Sequence, residues 1–145
     1  MSYAHYKNIH SSLLRFVSDF AEEHGLEKVN LDAHTEAKDW PDESFIGVGE
    51  VIVDVEELYR VSCAFGLSTV SDPNHYRLSN LVQKLSAKLI PNRTLPIYDA
   101  VTGARIGSFY TLKGTRIGAP LKTEYRPVQP IFVTMETDLR SFAGS

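Results

Sequence analysis

Ile9, Leu13, Phe16, Val17 and Phe20 recur at three- and four-residue spacing, one apolar stripe with polar positions between, which predicts a helix near the start of the chain. Asn8 or Ser11 is placed to cap it, and His24-Gly25 to stop it, glycine taking the left-handed conformation. From Leu26 to Ser44 the periodicity is weak, acids are frequent and Trp40-Pro41 interrupts; a short strand around Val29–Leu31 and then an exposed loop are expected. The period then changes to two. Val51, Val53 and Val55 alternate with Glu50, Ile52 and Asp54, in a strand running from about Phe45. After a polar turn at Glu56-Glu57, Tyr59, Val61, Cys63, Phe65 and Leu67 alternate with Arg60, Ser62, Ala64, Gly66 and Ser68. The two runs predict an antiparallel hairpin whose second strand has a small, weakly polar outer set, suited to close approach of another surface.

The stretch SDPN, residues 71–74, predicts a second helix with Asp72 as N-cap and Pro73 at the first helical position. Leu78, Leu81, Val82, Leu85 and Leu89 form its stripe, Lys84 and Lys88 its wet face, and Pro91 its end. A second hairpin, LPIYD and ARIGSFYTL, turns at Gly103. The glycine- and proline-punctuated TLKGTRIGAPLKTEYRPVQP follows, with an extended loop expected at 113–127. In the last strand Ile131, Val133 and Met135 alternate with Phe132, Thr134 and Glu136; Pro127 and Pro130 lack an N–H, so its start is expected at an edge or unpaired. No linker or internal repeat divides the sequence. Residues 1–145 are read as a single α+β domain, a single antiparallel or mixed sheet of about five to six strands with two helices packed on one face.

Charge changes this picture by segment more than in total. The net formal charge is only -3, but from Asp19 to Glu57 there are thirteen acids and two bases, and from Arg77 to Arg126 nine bases and two acids. Either the two halves neutralise each other within one molecule, or they meet between copies, where complementary charge sets orientation and register. Nucleic-acid binding has little support, because the total is negative and no basic-aromatic motif accompanies the bases. No apolar run is long enough to span a bilayer, and MSYAHYKNIHSS lacks the layout of a secretory leader, so no membrane partner is expected.

Candidate chemistry is sparse. The five histidines, His5, His10, His24, His34 and His75, form no His-x-x-x-His or Glu-x-x-His pair. LDAHTEAKD brings Asp32, His34, Glu36 and Asp39 close in sequence, the basis of a minor reading as a small metal-dependent enzyme; an acidic surface loop with one histidine is more often only solvated. Cys63 is the sole cysteine, which excludes an internal disulfide, and its alternating apolar context makes it a core residue. There is no Gly-x-Ser-x-Gly elbow and no dinucleotide or phosphate loop, and Glu56-Glu57 would be fully hydrated. The expectation is a protein that is not an enzyme, with no cofactor and no metal.

The order of elements resembles the small neck and tail-terminator proteins of tailed bacteriophages. The resemblance covers nearly the whole chain: IHSSLLRFVSDF as first helix, GEVIVDVEELYRVSCAFGLS as hairpin, DPNHYRLSNLVQKLSAKLI as second helix, LPIYDAVTGARIGSFYTL as second hairpin and VQPIFVTMETDL as closing strand. It implies a virion protein assembled in the host cytoplasm, forming a hexameric ring at the head-proximal end of the tail tube. Its implied partners are the tail tube protein, the head-completion or neck proteins and, in contractile tails, the sheath, with genome DNA passing through unbound. The long basic loop at 113–127 and the acidic 32–44 insertion depart from the smaller members, so terminator and adjacent connector both stay open. On this reading the basic segment is an arm that gains order on a neighbour. Arg105, Arg116, Lys122, Glu124 and Arg126 are its candidate contacts, with Glu56 and Glu57 opposite them. The alternative is a non-catalytic adaptor that holds an acidic protein partner through the same loop.

Overall fold

Helix α1 (Tyr6–His24) buries Ile9, Leu13, Val17, Phe20 and Ala21 on one side, as its stripe requires. It starts a turn earlier than Asn8 or Ser11 would set it, because the Ile9 N–H already bonds the His5 carbonyl (2.9 Å). Asn8 instead ties the helix to a distant turn, its Oδ1 accepting from the Ala100 N–H (2.8 Å). Gly25, at φ 65°, ends the helix in the left-handed region. The computed structural model describes residues 5–34, 36–91, 93–112, 115–119 and 127–140.

Among the described residues seven strands follow the first helix: β1 (Glu27–Asn30), β2 (Phe45–Val55), β3 (Leu58–Ser68), β4 (Thr94–Tyr98), β5 (Arg105–Thr111), β6 (Arg116–Ile117) and β7 (Gln129–Arg140). They form one sheet in the order β1-β2-β3-β7-β5-β4, with β6 on β7 as well. Only β1 and β2 run parallel; every other pairing is antiparallel. Helix α2 (Tyr76–Lys88) buries Leu78, Leu81 and Leu85. These leucines and the α1 stripe enter one core with Tyr59, Val61, Phe65, Ile131, Val133 and Met135 of the central strands, so both helices lie on the same side of the sheet. The α+β class, with two helices on one face, is therefore as the sequence pattern implies. The strand count exceeds the expected five to six by the two-residue β6, which lies inside the stretch read as a loop.

Three local expectations need correction. Helix α2 begins at Tyr76, not at Pro73: Asp72–His75 close a β-turn, with the His75 N–H on the Asp72 carbonyl (3.0 Å), as suits Asp-Pro at the first two positions of such a turn. Asp72 still caps the helix, across the turn, its carboxylate accepting from the N–H groups of Arg77 (3.2 Å) and Leu78 (2.9 Å). The start of β7 is not at an edge, since Pro130 stands opposite Gly66 of β3 and is buried. Its carbonyl accepts from the Gly118 N–H (3.1 Å), so its polar groups face the β6 side and the β3 ladder loses nothing. The N–H that proline lacks is replaced by the Gln129 side-chain amide, which donates to the Gly118 carbonyl. Thirdly, the 32–44 stretch is not simply an exposed loop. Leu31 and Trp40 pack with Val29, Phe45 and Val128 on the other side of the sheet from the helices. Trp40 meets Phe45 edge-on (5.5 Å between centroids) and donates its Nε1–H to the His34 carbonyl (2.8 Å).

The turn between β4 and β5 is held by Asp99, whose Oδ1 accepts from the N–H groups of Val101 and Thr102 (both 2.9 Å), with Gly103 at φ 76°. The Thr102 and Val101 amides, against a smaller desolvation and with the Thr102 hydroxyl and His5 adding, hold the Asp99 carboxyl below its ordinary value. At Asp72 desolvation pushes upward, but the hydrogen bonds from Leu78, Arg77 and Thr69, with His75, outweigh it and the net direction is again down. A carboxyl with a depressed folded pKa stabilises the fold above its unfolded pKa, near 4, and loses that contribution as pH falls through the folded value. The urea midpoint of the wild type is therefore expected to drop on acidification below about pH 4. In Asp72→Asn/Asp99→Asn, which keeps an acceptor oxygen at both places, it should drop less steeply. Parallel curves would show that neither carboxyl is linked to folding.

Candidate functional site

On the face that the helices leave uncovered, β3 and β7 present matched pairs: Gly66 with Pro130, Ala64 with Phe132, Ser62 with Thr134 and Arg60 with Glu136. The Ser62 and Thr134 hydroxyls lie 3.3 Å apart, and Arg60 and Glu136 form an ion pair at 3.3 Å. The face thus grades from small and apolar at one end of the strands to charged at the other. At the apolar end Leu31, Trp40, Gly49, Ala64, Val128 and Phe132 line a trough of about 290 Å³. It continues into a second depression bordered by Glu50, Ile52, Ser62, Thr134 and Arg116. Three large apolar side chains on or beside this surface remain solvent-accessible: Ile52 (58% exposed), Ile117 (52%) and Phe132 (37%).

Glu50 is where the ladder breaks. The β2–β3 register shifts between Gly49 and Ile52, and Glu50 sits at φ 51°, an uncommon region for a residue with a side chain. Asp32 holds it there, accepting from the Glu50 N–H (2.7 Å) through Oδ1 and the Val51 N–H (3.3 Å) through Oδ2. Among the described residues no hydrogen bond or ion pair engages the Glu50 carboxylate or the Arg116 guanidinium. They stand on opposite sides of the second depression, one on β2 and one on β6.

The contact residues expected from sequence are dispersed. Arg116 lies exposed on β6 and borders the depression. Arg105, at the exposed start of β5, turns onto its own strand and donates to the Ser108 hydroxyl (2.7 Å) and the Gly107 carbonyl (3.4 Å). Glu56 and Glu57 occupy the β2–β3 turn, where Glu57 accepts from Arg140 of its own chain (2.9 Å). Lys122, Glu124 and Arg126 lie outside the described residues, as does Lys113. Arg116 pairs with Phe132, whereas Glu57 bonds Arg140 at the far end of β7, roughly 26 Å along the strand. Arg116 and Glu57 therefore do not meet within one chain. Glu50, Ile52 and Phe132 were missed, although two of them carried a signal: Ile52 and Phe132 are large apolar residues in the polar set of an alternating strand.

The ion pairs between described residues bear on how the two charged segments are balanced. Lys88 with Glu23 (3.6 Å) joins the basic 77–126 segment to the acidic 19–57 segment. The others are Arg60–Glu136, Arg140–Glu57, Lys38–Glu36 and His24–Glu23. Asp32 is committed to β2 amides, and among the described residues no group of three or more His, Cys, Asp or Glu side chains is gathered that could hold a metal. Burial, with a lesser push from Asp32, raises the Cys63 thiol to about 12, which keeps it protonated and unreactive at neutral pH. No helix among the described residues is long and apolar enough to cross a membrane.

No family model matches the sequence, and no curated protein matches it. A solved structure that bears no functional name is similar in fold, with a TM-score of 0.60 over 95% of this chain and 97% of the other at 12% identity. That likeness is one of fold alone, and it places this α+β arrangement in a second, distantly similar chain.

The trough depends on glycine. A Cβ on Gly49 would lie 2.9 Å from the Leu31 Cβ, an atom that cannot swing away as a side-chain tip can. Gly49→Ala is therefore expected to cost about 1–3 kcal/mol through overpacking, read as a lower urea midpoint with unchanged slope. An unaltered midpoint would show that Leu31 does not rest on β2.

Proposed function

We propose that this chain is a structural subunit of a phage tail, assembling into a ring at the head-proximal end of the tail tube. There it ends tube growth and presents a surface to head-completion proteins, and to the sheath where the tail is contractile. The ring is hexameric on the resemblance to tail-terminator and neck proteins. The subunit carries out no reaction, resides in the virion after assembly in the host cytoplasm, and lets genome DNA pass without specific binding.

The observation that carries this reading is the sorting of charge into two sequence segments of opposite sign, acidic from Asp19 to Glu57 and basic from Arg77 to Arg126. Charges of opposite sign on different patches of one molecule favour head-to-tail contacts between copies, and such heterologous contacts close into rings when the rotation permits. An acidic lining also repels phosphate, which suits a channel through which DNA slides. The fold supports the reading in a second way. A sheet covered by helices on one side only, with small residues on the other, leaves a broad surface available to neighbours.

Native mass determination at low ionic strength tests it. A particle of about six 16.2 kDa subunits is expected, ring-shaped by negative stain. It should dissociate as salt rises toward 1 M and the screening length shrinks to about 3 Å. A strict 16.2 kDa monomer at high concentration in low salt, with no affinity for tail tubes, would contradict the proposal.

A further inference from the structure

Sheet edges are where a β protein meets its neighbours, and this sheet treats its edges unequally. At β4 the edge is closed: Ser12 of α1 accepts from the Tyr98 N–H (2.9 Å) and donates to the Tyr98 carbonyl (3.4 Å), and Pro96 has no N–H to offer. The β1 edge is four residues long and carries charged Glu27 and Lys28. Two edges remain open among the described residues. Beyond Val48, β2 has no strand on its β1 side, and past the Glu50 and Val51 amides, which Asp32 occupies, its edge is open over Ile52–Val55; β6 pairs with β7 alone.

These two open edges are complementary. The β2 edge carries Glu50 and Asp54 around Ile52, and the β6 edge carries Arg116 beside Ile117. Each offers one isoleucine that is more than half exposed. The Asp32 clamp fixes the Glu50 backbone at its bulge, and the residue is exposed there. The edges lie on opposite sides of the β3–β7 pair, about 14 Å apart at three strand spacings. One copy therefore offers an acidic edge on one side and a basic edge on the other.

We infer that the Ile52–Val55 edge of one copy receives the Arg116–Ile117 edge of the next, with the neighbouring Glu50 against Arg116 and Ile52 against Ile117. The inference rests on the reading of the chain as a self-assembling ring protein and names the contact that builds the ring. It differs from the contact expected from sequence, which set Glu56 and Glu57 opposite the basic segment. The occupant is a second copy because this chain itself carries both complementary patches, and among the described residues Glu50 and Arg116, although they border one depression, form no ion pair with each other.

Charge reversal with mixing tests it. Glu50→Arg and Arg116→Glu should each weaken self-association in low salt about tenfold, since attraction becomes repulsion, while melting as the wild type does. An equimolar mixture of the two variants should regain the wild-type mass, because alternating copies restore opposite charges at every contact. At one contact the introduced arginine meets the introduced glutamate, and at the next the native Glu50 meets the native Arg116. Ile52→Asp should also lose association without loss of fold. If both charge variants assemble as the wild type does, the edge contact is wrong while the ring reading stands. If the wild type is itself monomeric, both fail. Rescue by the double variant in one chain but not by the mixture would place the pair within a single molecule and overturn the inference. So would unchanged assembly of Ile52→Asp.

Discussion

Both helices pack against the same side of one sheet, and the rest of the molecule adjusts to that. Phe20, Leu13 and Ile9 of α1 and Leu81 and Leu85 of α2 meet Tyr59, Val61 and Phe65 of β3 there, all nearly inaccessible to water. Each such side chain contributes about 1.5–3 kcal/mol by leaving solvent, so this face holds the chain folded. Among the described residues no helix covers the opposite face. It is covered at one corner by Leu31 and Trp40, which reach the sheet because Gly47, Gly49 and Gly66 leave room. Elsewhere it ends in serine, alanine and threonine, short side chains that make a shallow surface.

Much of the fold was legible in the sequence because its periods are strong. The stripe of α1, the alternation of β2 and β3, and the turn at Gly103 each follow from one local rule. What escaped were features fixed by tertiary partners. Pro130 reads as an edge residue until Gln129 supplies the missing donor to Gly118. Asp72-Pro73 reads as a helix start, but the chain uses it as a turn from which the carboxylate reaches back to the helix. Leu31 and Trp40 are isolated apolar residues in an acidic stretch with no period to report them. Of the candidate contact residues, Arg116 lies where a neighbour could meet it, Arg105 and Glu57 are engaged by their own chain, and Glu50 was passed over. A lone acid in an alternating strand does not announce a bulge, because the bulge is set by Asp32, eighteen residues earlier.

Energetics decide what such a surface can do. An exposed ion pair contributes under about 1 kcal/mol, so charge alone steers and orients more than it binds. Burying an exposed isoleucine contributes more, and it lacks direction. Ile52 beside Glu50 and Ile117 beside Arg116 combine the two, an apolar contact with a polarity that permits one orientation. On this account salt and hydrophobic truncation weaken assembly by separate routes.

The central claim is that opposite charges on this chain are displayed to a sibling copy at two open sheet edges. Amide hydrogen exchange at low salt, followed as protein concentration rises, tests it most directly. Protection should increase at Ile52–Val55 and at Arg116–Ile117 together, while the Tyr98 amide, already held by Ser12, stays unchanged. Exchange that does not depend on concentration at either edge, or that slows only around the helices, would contradict the account.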